Sequence, residues 1–192
     1  MVSELQDPKD GSIYTLLISM PFVISLLQPY QKLRILTFIN PDRDPLGAGY
    51  QIIQSKIAVG SGGLNGKGFL KGTQSYLEFL PEKHTDFIFT LFAEEHGFIG
   101  SLCLLLIYII IIYRIIRIGT ISRSYFGKLF CYGYGSAIFF YVTVNMSMVL
   151  GLLPIVGSPL PIMSYGGSSM LATMIGFAIV FSARINHKQI IA

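Results

Sequence analysis

The sequence has 192 residues, of which 52% are hydrophobic and 12% are charged, and its mean hydropathy is +0.61. Ordinary soluble domains carry about 25% charged residues, so this composition excludes an ordinary soluble protein and indicates a membrane protein. The net charge is +4, and all acidic residues lie at or before Glu95. Basic groups beside apolar runs are typical of the cytoplasmic ends of membrane helices, and we expect no nucleic-acid partner.

The first predicted membrane span covers residues 11–31, which carry no charge. About 20 apolar residues are enough to cross a hydrocarbon core of roughly 30 Å. Pro21 predicts a kink, which membrane helices tolerate. Residues 1–10 mix acids with bases and lack the features of a signal peptide, so we expect the span to be retained.

The rest of the chain predicts three more spans. Residues 32–86 are rich in charges and turn formers and form a large loop outside the bilayer, whereas residues 87–113 form the second span. Residues 114–128 hold four basic groups and no acid, which places this loop in the cytoplasm. The uncharged stretch that follows is too long for one span and must reverse at its prolines and glycines. The predicted parts of that stretch and the tail are a helix at 129–153, an outer turn at 154–160, a helix at 161–183 and a tail at 184–192.

These segments predict an all-α integral membrane protein with about four transmembrane helices and one large extracytoplasmic loop. By parity, both termini lie in the cytoplasm. Four helices are few around so large a polar loop, so we expect the chain to be part of a longer protein.

A glycine-rich stretch, GSGGLNGKG, occupies residues 60–68. It fails the phosphate-loop pattern because Ser61 replaces the first glycine and Gly68 replaces the hydroxyl residue. It also fails the dinucleotide pattern at Asn65. We therefore expect a surface loop rather than a nucleotide site, although glycines also permit a close backbone approach to a ligand.

The segment LPEKHTDFIFTLFAEEHG carries the clearest candidate site. On helical spacing, one face holds Asp86, Thr90, Ala93, Glu94 and Gly97. A small, polar face at a membrane boundary suits a cavity lined by protein. Alternatively, Asp86 only caps the helix and complements its positive end. Spacing alone leaves both interpretations open.

A second cluster, GSPLPIMSYGGSS, covers residues 157–169, where the chain re-enters the membrane. Backbone amides at a helix start can bind an anion. A tight re-entrant turn with internally capped polar groups is the alternative, and the residues themselves favour this second interpretation.

Both clusters, together with QPYQKLRILTFINPDRDPLGAGYQIIQSKIAVGSGG and VNMSMVLGLLPIVGSPLP, resemble the SEDS family of cell-wall polymerases (shape, elongation, division and sporulation). The resemblance runs from about Gln28 to Lys188 and is closer to the rod-shape members than to the division members. Family members have ten transmembrane helices, so this chain is similar to the last four. The resemblance therefore implies a C-terminal portion, from a gene fragment, a split gene or a truncated reading frame.

The resemblance implies a peptidoglycan glycosyltransferase that polymerises lipid II, the undecaprenyl diphosphate-linked substrate, on the outer face of the bacterial cytoplasmic membrane during cell elongation. It implies a class B penicillin-binding protein transpeptidase and the elongation machinery as partners. The family's essential aspartate falls on Asp86. We hypothesise that Asp86 accepts the proton of the acceptor sugar's 4-hydroxyl while that oxygen attacks the donor's anomeric carbon.

Negative charge that develops on the leaving diphosphate needs positive partners. The candidates, besides a possible divalent cation, are Lys56, Lys67, Lys71, Lys83 and His84. For the SYGGSS segment we expect structural support first and substrate contact second, through Ser164, Tyr165, Gly166 and Gly167. The competing functions are a lipid II transporter or flippase and a noncatalytic membrane scaffold for a penicillin-binding protein.

Overall fold

A computed structural model describes residues 28–41, 44, 47–72 and 84–187 of the chain. The described residues form α-helices joined by turns and contain no strand, which confirms the predicted all-α class. In chain order the helices are α1 (Pro29–Ile39), α2 (Ala48–Ser61), α3 (Ile88–Ile121), α4 (Tyr125–Val149) and α5 (Gly167–Ile185).

Three of these helices, α3, α4 and α5, are long and apolar enough to cross a membrane. Large apolar side chains remain exposed along them, as expected of surfaces that face lipid or other membrane helices. The chain is therefore an integral membrane protein. The first predicted span, 11–31, lies outside the described residues except for its last four, which lead into and begin α1.

The helix α3 is longer than the sequence pattern predicts. It continues beyond residue 113 to Ile121, so the predicted loop at 114–128 shrinks to residues 122–124. The segment contains no proline, and arginine is a good helix former. Arginine stems can also lie along an apolar surface while their guanidinium groups reach water, so the helix need not end where the charges begin.

The other two long helices also differ at their ends from the predicted bounds. The helix α4 ends at Val149, close to Gly151, whose φ of +66° favours glycine and stops the helix. The helix α5 starts at Gly167 rather than at residue 161. The amide of Tyr165 donates to a distant carbonyl, that of His84, instead of joining a helical ladder.

The buried core lies between α3 and α4, and both α2 and α5 pack against this pair. Buried side chains in it include Phe87, Met148 and Leu160. Two tyrosine hydroxyls link the helices: Tyr108 donates to the carbonyl of Pro161, and Tyr134 donates to the carbonyl of Thr173 at 2.7 Å. These bonds attach α5 and the re-entrant segment, residues 160–166 directly before it, to the α3–α4 pair.

The helix α3 is interrupted at Gly97, where φ is 67° and ψ is −163°. This break frees carbonyls of the preceding turn from the helical ladder. The glycine-rich loop uses them: the amide of Lys67 donates to the carbonyl of Glu94, and that of Gly68 donates to the carbonyl of Glu95, both at 3.0 Å. The loop therefore completes the first half of the broken helix.

The same loop also completes the second half of α3. The amide of Phe98 donates to the carbonyl of Gly63 at 2.9 Å, and the amide of Ile99 donates to that of Leu64 at 3.1 Å. Buried backbone groups need such partners, and here the loop supplies them on both sides of the break.

Three glycines make this close approach possible. A Cβ at Gly62 would collide with the carbonyl oxygen of Ala93, and one at Gly66 would collide with that of Glu95. A Cβ at Gly97 would collide with the amide nitrogen of Gly66. In the described structure, the glycines thus permit a close approach of the loop to its own helix.

Candidate active site

Asp86 lies in a turn formed by residues 84–87, directly before α3 begins at Ile88. The residue is half-buried. Asp86 therefore lies at the N-terminal end of α3 and is partly open to solvent or to a ligand.

The re-entrant segment holds the two carbonyls that precede Asp86. The amide of Tyr165 donates to the carbonyl of His84 at 2.9 Å. The hydroxyl of Ser164 donates to the carbonyl of Thr85 at 2.6 Å. The same hydroxyl accepts a hydrogen bond from the amide of Leu160 at 2.6 Å, so it bridges two backbone segments.

Asn145 of α4 holds the third carbonyl. Its side chain is fully buried, and its Nδ2 atom donates to the carbonyl of Asp86 at 2.8 Å and to that of Ser158 at 2.7 Å. One amide group therefore joins the turn before α3 to the segment that follows α4.

Together these bonds fix three consecutive carbonyls, those of residues 84–86, from two other elements of the fold. The partners are 59 and 79 positions away in sequence for two of the bonds. Such long-range bonds hold the backbone of the turn in one place, and the position of the Asp86 side chain follows from it.

Gly157 lies beside the carboxylate itself. Its φ is +73°, and an ideal Cβ there would be 3.2 Å from the Oδ2 atom of Asp86. Any side chain at this position would be strained and would crowd the carboxylate. Glycine keeps one side of Asp86 open.

Of the predicted basic residues, His84 lies in the same turn as Asp86 and is exposed. The Nζ atom of Lys67 forms an ion pair at 2.8 Å with the Oε1 atom of Glu94, a side chain that is 0% exposed. Lys56 is exposed on α2, with its stem against Gly151. Lys71 is exposed just after the glycine-rich loop, and Lys83 lies outside the described residues.

The predicted residues of the SYGGSS segment take different positions. Ser164 is buried and forms the hydrogen bonds described above, whereas the side chain of Tyr165 is 81% exposed. Gly166 is the N-cap of α5, and Gly167 is its first residue. Within the described part of the chain, the arrangement of Ser164 is that of a structural support.

The sequence reasoning did not single out Asn145. The signal that could have found it is a carboxamide within an apolar run, because buried polar groups in membrane helices need partners and are often functional. Nothing in the local pattern indicates which carbonyls it binds, since one of them lies 59 positions away.

The described residues contain no group of three or more His, Cys, Asp and Glu side chains that could hold a metal ion. Asp86 is therefore not part of a metal-ligand cluster within that portion of the chain.

Spanning helices joined by a re-entrant segment, with a half-buried carboxylate at the start of one of them, define a multi-pass membrane protein with a polar site at one end of its helices. The family model FTSW_RODA_SPOVE, described as cell cycle protein, matches residues 10–189. The chain belongs to this family, which confirms the resemblance seen in the sequence.

Two curated relatives show how the chain compares in length. It is 53% identical over 165 residues to the peptidoglycan glycosyltransferase MrdB of Escherichia coli (strain K12), covering 86% of this chain and 45% of that protein. It is 42% identical over 167 residues to the peptidoglycan glycosyltransferase RodA of Treponema pallidum (strain Nichols), covering 87% and 38%. The chain thus spans about half the length of the curated relatives it matches, or less.

Two solved structures resemble the chain. One chain, from a structure described as "Structural coordination of polymerization and crosslinking by a peptidoglycan synthase complex", has a TM-score of 0.70 and 36% identity, covering 93% of this chain and 49% of that one. The rod shape determining protein RodA of Thermus thermophilus has a TM-score of 0.53 and 24% identity, covering 85% and 60%, and shows the shared fold.

Proposed function

We propose that this chain carries the catalytic aspartate of a peptidoglycan glycosyltransferase that polymerises lipid II during cell elongation. The relatives named above are glycosyltransferases, which supports the reaction class. The observation that carries the proposal for Asp86 is its half-buried carboxylate at the start of α3, in a turn fixed through three consecutive carbonyls.

In the proposed reaction, the acceptor sugar's 4-hydroxyl oxygen forms a bond to the anomeric carbon of the donor. The bond from that carbon to the diphosphate breaks, and undecaprenyl diphosphate leaves with the electron pair. The hydroxyl proton passes to the carboxylate of Asp86. A carboxylate is a weak base, so the transfer occurs late, when the oxygen already bonds to carbon.

A general base must lie within hydrogen-bond reach of the proton it removes. The three bonds to the turn serve this purpose because they fix where the Asp86 side chain begins. Asn145 and Ser164 therefore act as positioning residues, through the backbone rather than through the substrate.

The leaving diphosphate requires positive charge nearby. His84 is exposed in the same turn as Asp86, and Lys71 is exposed beyond the glycine-rich loop. We assign His84 as the first candidate, because the ammonium of Lys67 already neutralises a buried carboxylate. A lysine held in that pair has less freedom to follow a substrate.

The test uses a chimera in which this chain replaces the matching part of the Escherichia coli relative. The chimera is purified and supplied with lipid II, and glycan strands are measured. We expect Asp86→Asn to reduce turnover by at least about a hundredfold, the lower range for general-base catalysis. The matched control is Glu95→Gln, which removes a carboxylate from α3 and retains turnover.

Two results contradict the proposal. Wild-type turnover in Asp86→Asn removes the residue from catalysis. Movement of labelled lipid II across vesicle membranes without polymer, in the unsubstituted chimera, favours a transporter instead.

The elongation role and the partner belong to the same proposal. The chimera should restore rod shape to cells that lack the Escherichia coli relative.

A solved relative comes from a structure described as coordinating polymerisation with crosslinking, which supports a class B penicillin-binding protein as partner in the bacterial cytoplasmic membrane. Co-purification of that transpeptidase with the chimera tests it, and rod shape without co-purification contradicts the partner assignment.

A further inference from the structure

Three arginines converge on one small cavity at the end of the molecule opposite the start of α3. The cavity has a volume of about 210 Å³ and is lined by Arg114, Arg117, Ile118, Ile121 and Arg184. One water occupies roughly 30 Å³ of the liquid. The cavity therefore has room for a group of several atoms.

The arginines come from two helices. Arg114 and Arg117 are three residues apart on α3, so they share a face, and Arg184 lies in the last turn of α5. Ile118 and Ile121 line the same cavity and give it an apolar surface. A cavity lined by both arginines and isoleucines suits a ligand that is anionic at one end and apolar at the other.

Nothing acidic in the described chain neutralises this cluster. None of the three guanidinium groups forms an ion pair within the described residues, and the sequence contains no carboxylate side chain after Glu95. Arginine binds phosphate oxygens in pairs of parallel hydrogen bonds. The charge of the cavity thus matches a phosphate-type anion.

Exposed aromatic residues at the same end indicate the depth of the cavity in the membrane. Tyr113, next to Arg114, is 60% exposed, and Tyr125 at the start of α4 is 82% exposed. Tyrosine is enriched where membrane meets water. The amide of Arg123 donates to the carbonyl of His187 at 3.0 Å, which ties the α3–α4 connection to the end of α5 at this level.

We propose that the cavity of Arg114, Arg117 and Arg184 is a binding site for the phosphodiester headgroup of an acidic phospholipid. Basic pockets between membrane helices are known to hold such headgroups. The lipid's acyl chains lie along the apolar surface of α3, and its phosphate bridges α3 to α5. The lipid therefore acts as a clamp that holds the two helix ends together.

The experiment titrates phosphatidylglycerol into the purified full chain in a neutral detergent and counts bound lipids by native mass spectrometry. The cavity variant is Arg117→Gln with Arg184→Gln. The matched control is Arg123→Gln with Lys128→Gln, which removes two charges at the same end, outside the cavity.

We expect the cavity variant to bind phosphatidylglycerol about 25-fold more weakly, from roughly fivefold for each charge near a membrane surface. We expect the control to stay within about threefold of the unsubstituted chain, because its charges act only through screened attraction. An equal loss in both variants overturns the proposal, since the basic end would then attract lipids without a site.

A second variant, Arg117→Lys with Arg184→Lys, controls for misfolding of the cavity variant. It keeps both charges but loses the paired hydrogen bonds, so its binding should fall between that of the control and that of the cavity variant. Binding at the unsubstituted level in the lysine variant overturns the assignment of a shaped phosphate site.

Two further arms distinguish the source of the anion. Inorganic phosphate that displaces the lipid at equal concentration would make this a site for a soluble anion and overturn the lipid assignment. Phosphatidylglycerol that binds only after Glu4, Asp7 and Asp10 are changed to their amides would make the acidic N-terminal segment the occupant and also overturn it.

Discussion

The first half of α3 is held at both ends by hydrogen bonds, at the turn before the helix and at the break at Gly97. The two sets of hydrogen bonds use different chemical groups. Side chains hold the turn before the helix: Asn145 and Ser164 donate to the backbone around Asp86. Backbone groups of the glycine-rich loop hold the break at Gly97. The first set therefore depends on particular functional groups, whereas the second depends on the absence of side chains.

This difference separates the consequences of substitution. Removing a side-chain hydrogen bond leaves the chain able to close around the gap, so the effect is graded. Adding a single carbon where two backbones touch leaves no room to relax, because both partners are main chain. We therefore expect the larger loss of stability at the glycines and the more selective loss of activity at the polar side chains.

The largest expected effect is that of Gly66→Ala. The new Cβ would collide with the carbonyl oxygen of Glu95, and the residue has a φ of +80°. Strain of this kind costs about 1 to 3 kcal/mol for the backbone alone, and displacement of the loop adds to it. Thermal unfolding in detergent should show a loss of at least about 3 kcal/mol.

The control for this substitution is Gly60→Ala. An alanine Cβ at Gly60 meets nothing within 4 Å, and the residue lies inside α2. Alanine is favoured over glycine in a helix by about 1 kcal/mol, so this variant should keep or gain stability. Equal losses of stability at both positions would mean that the glycine-rich loop does not stabilise the broken helix α3 as described.

The next effect is that of Asn145→Ala, which removes donors from the carbonyls of Asp86 and Ser158. Hydrogen bonds between membrane helices contribute about 0.6 to 2 kcal/mol each, so we expect a loss of about 1 to 3 kcal/mol. In the chimera, turnover should fall about tenfold or more while lipid II binding changes little, because the turn carrying Asp86 shifts.

The matched control is Thr143→Ala, which removes an exposed polar group from the same helix. It should leave both stability and turnover near the level of the unsubstituted chimera. If Asn145→Ala lowers stability but leaves the turnover of the folded fraction intact, Asn145 supports the fold and does not position Asp86.

The sequence predicted the fold class correctly because fold class depends on local information, and the same kind of information makes Asp86 a candidate site residue, which stays a prediction. Long apolar runs specify spanning helices, and a short motif around Asp86 carries the family resemblance confirmed by the family model. The ends of α3 were harder to predict, since Arg114 and Arg117 are compatible with either a loop or a helix.

The long-range contacts could not be predicted from the sequence. The glycines of residues 60–68 were recognised, but a pattern of glycines does not say what approaches them. The structure shows that the partner is the break at Gly97, about 30 positions away. Asn145 is the same kind of case, because its role depends on carbonyls that only the folded chain brings near.

The smallest expected effect is that of Ser164→Ala. This substitution is also the most direct test of the side-chain hydrogen bonds that hold the turn before α3. The change removes the donor to Thr85 and the acceptor for the amide of Leu160. The loss of two hydrogen bonds, at roughly 0.5 to 1 kcal/mol each, should cost about 1 to 2 kcal/mol. Hydrogen exchange offers a direct measurement, because the Leu160 amide should lose protection.

Ser168→Ala, at an exposed position in α5, should leave that amide protected. If the Leu160 amide stays protected in Ser164→Ala, the hydroxyl does not join the re-entrant segment to the turn. Turnover should fall by only a fewfold, since the bonds from Tyr165 and Asn145 still hold the carbonyls on either side of Thr85.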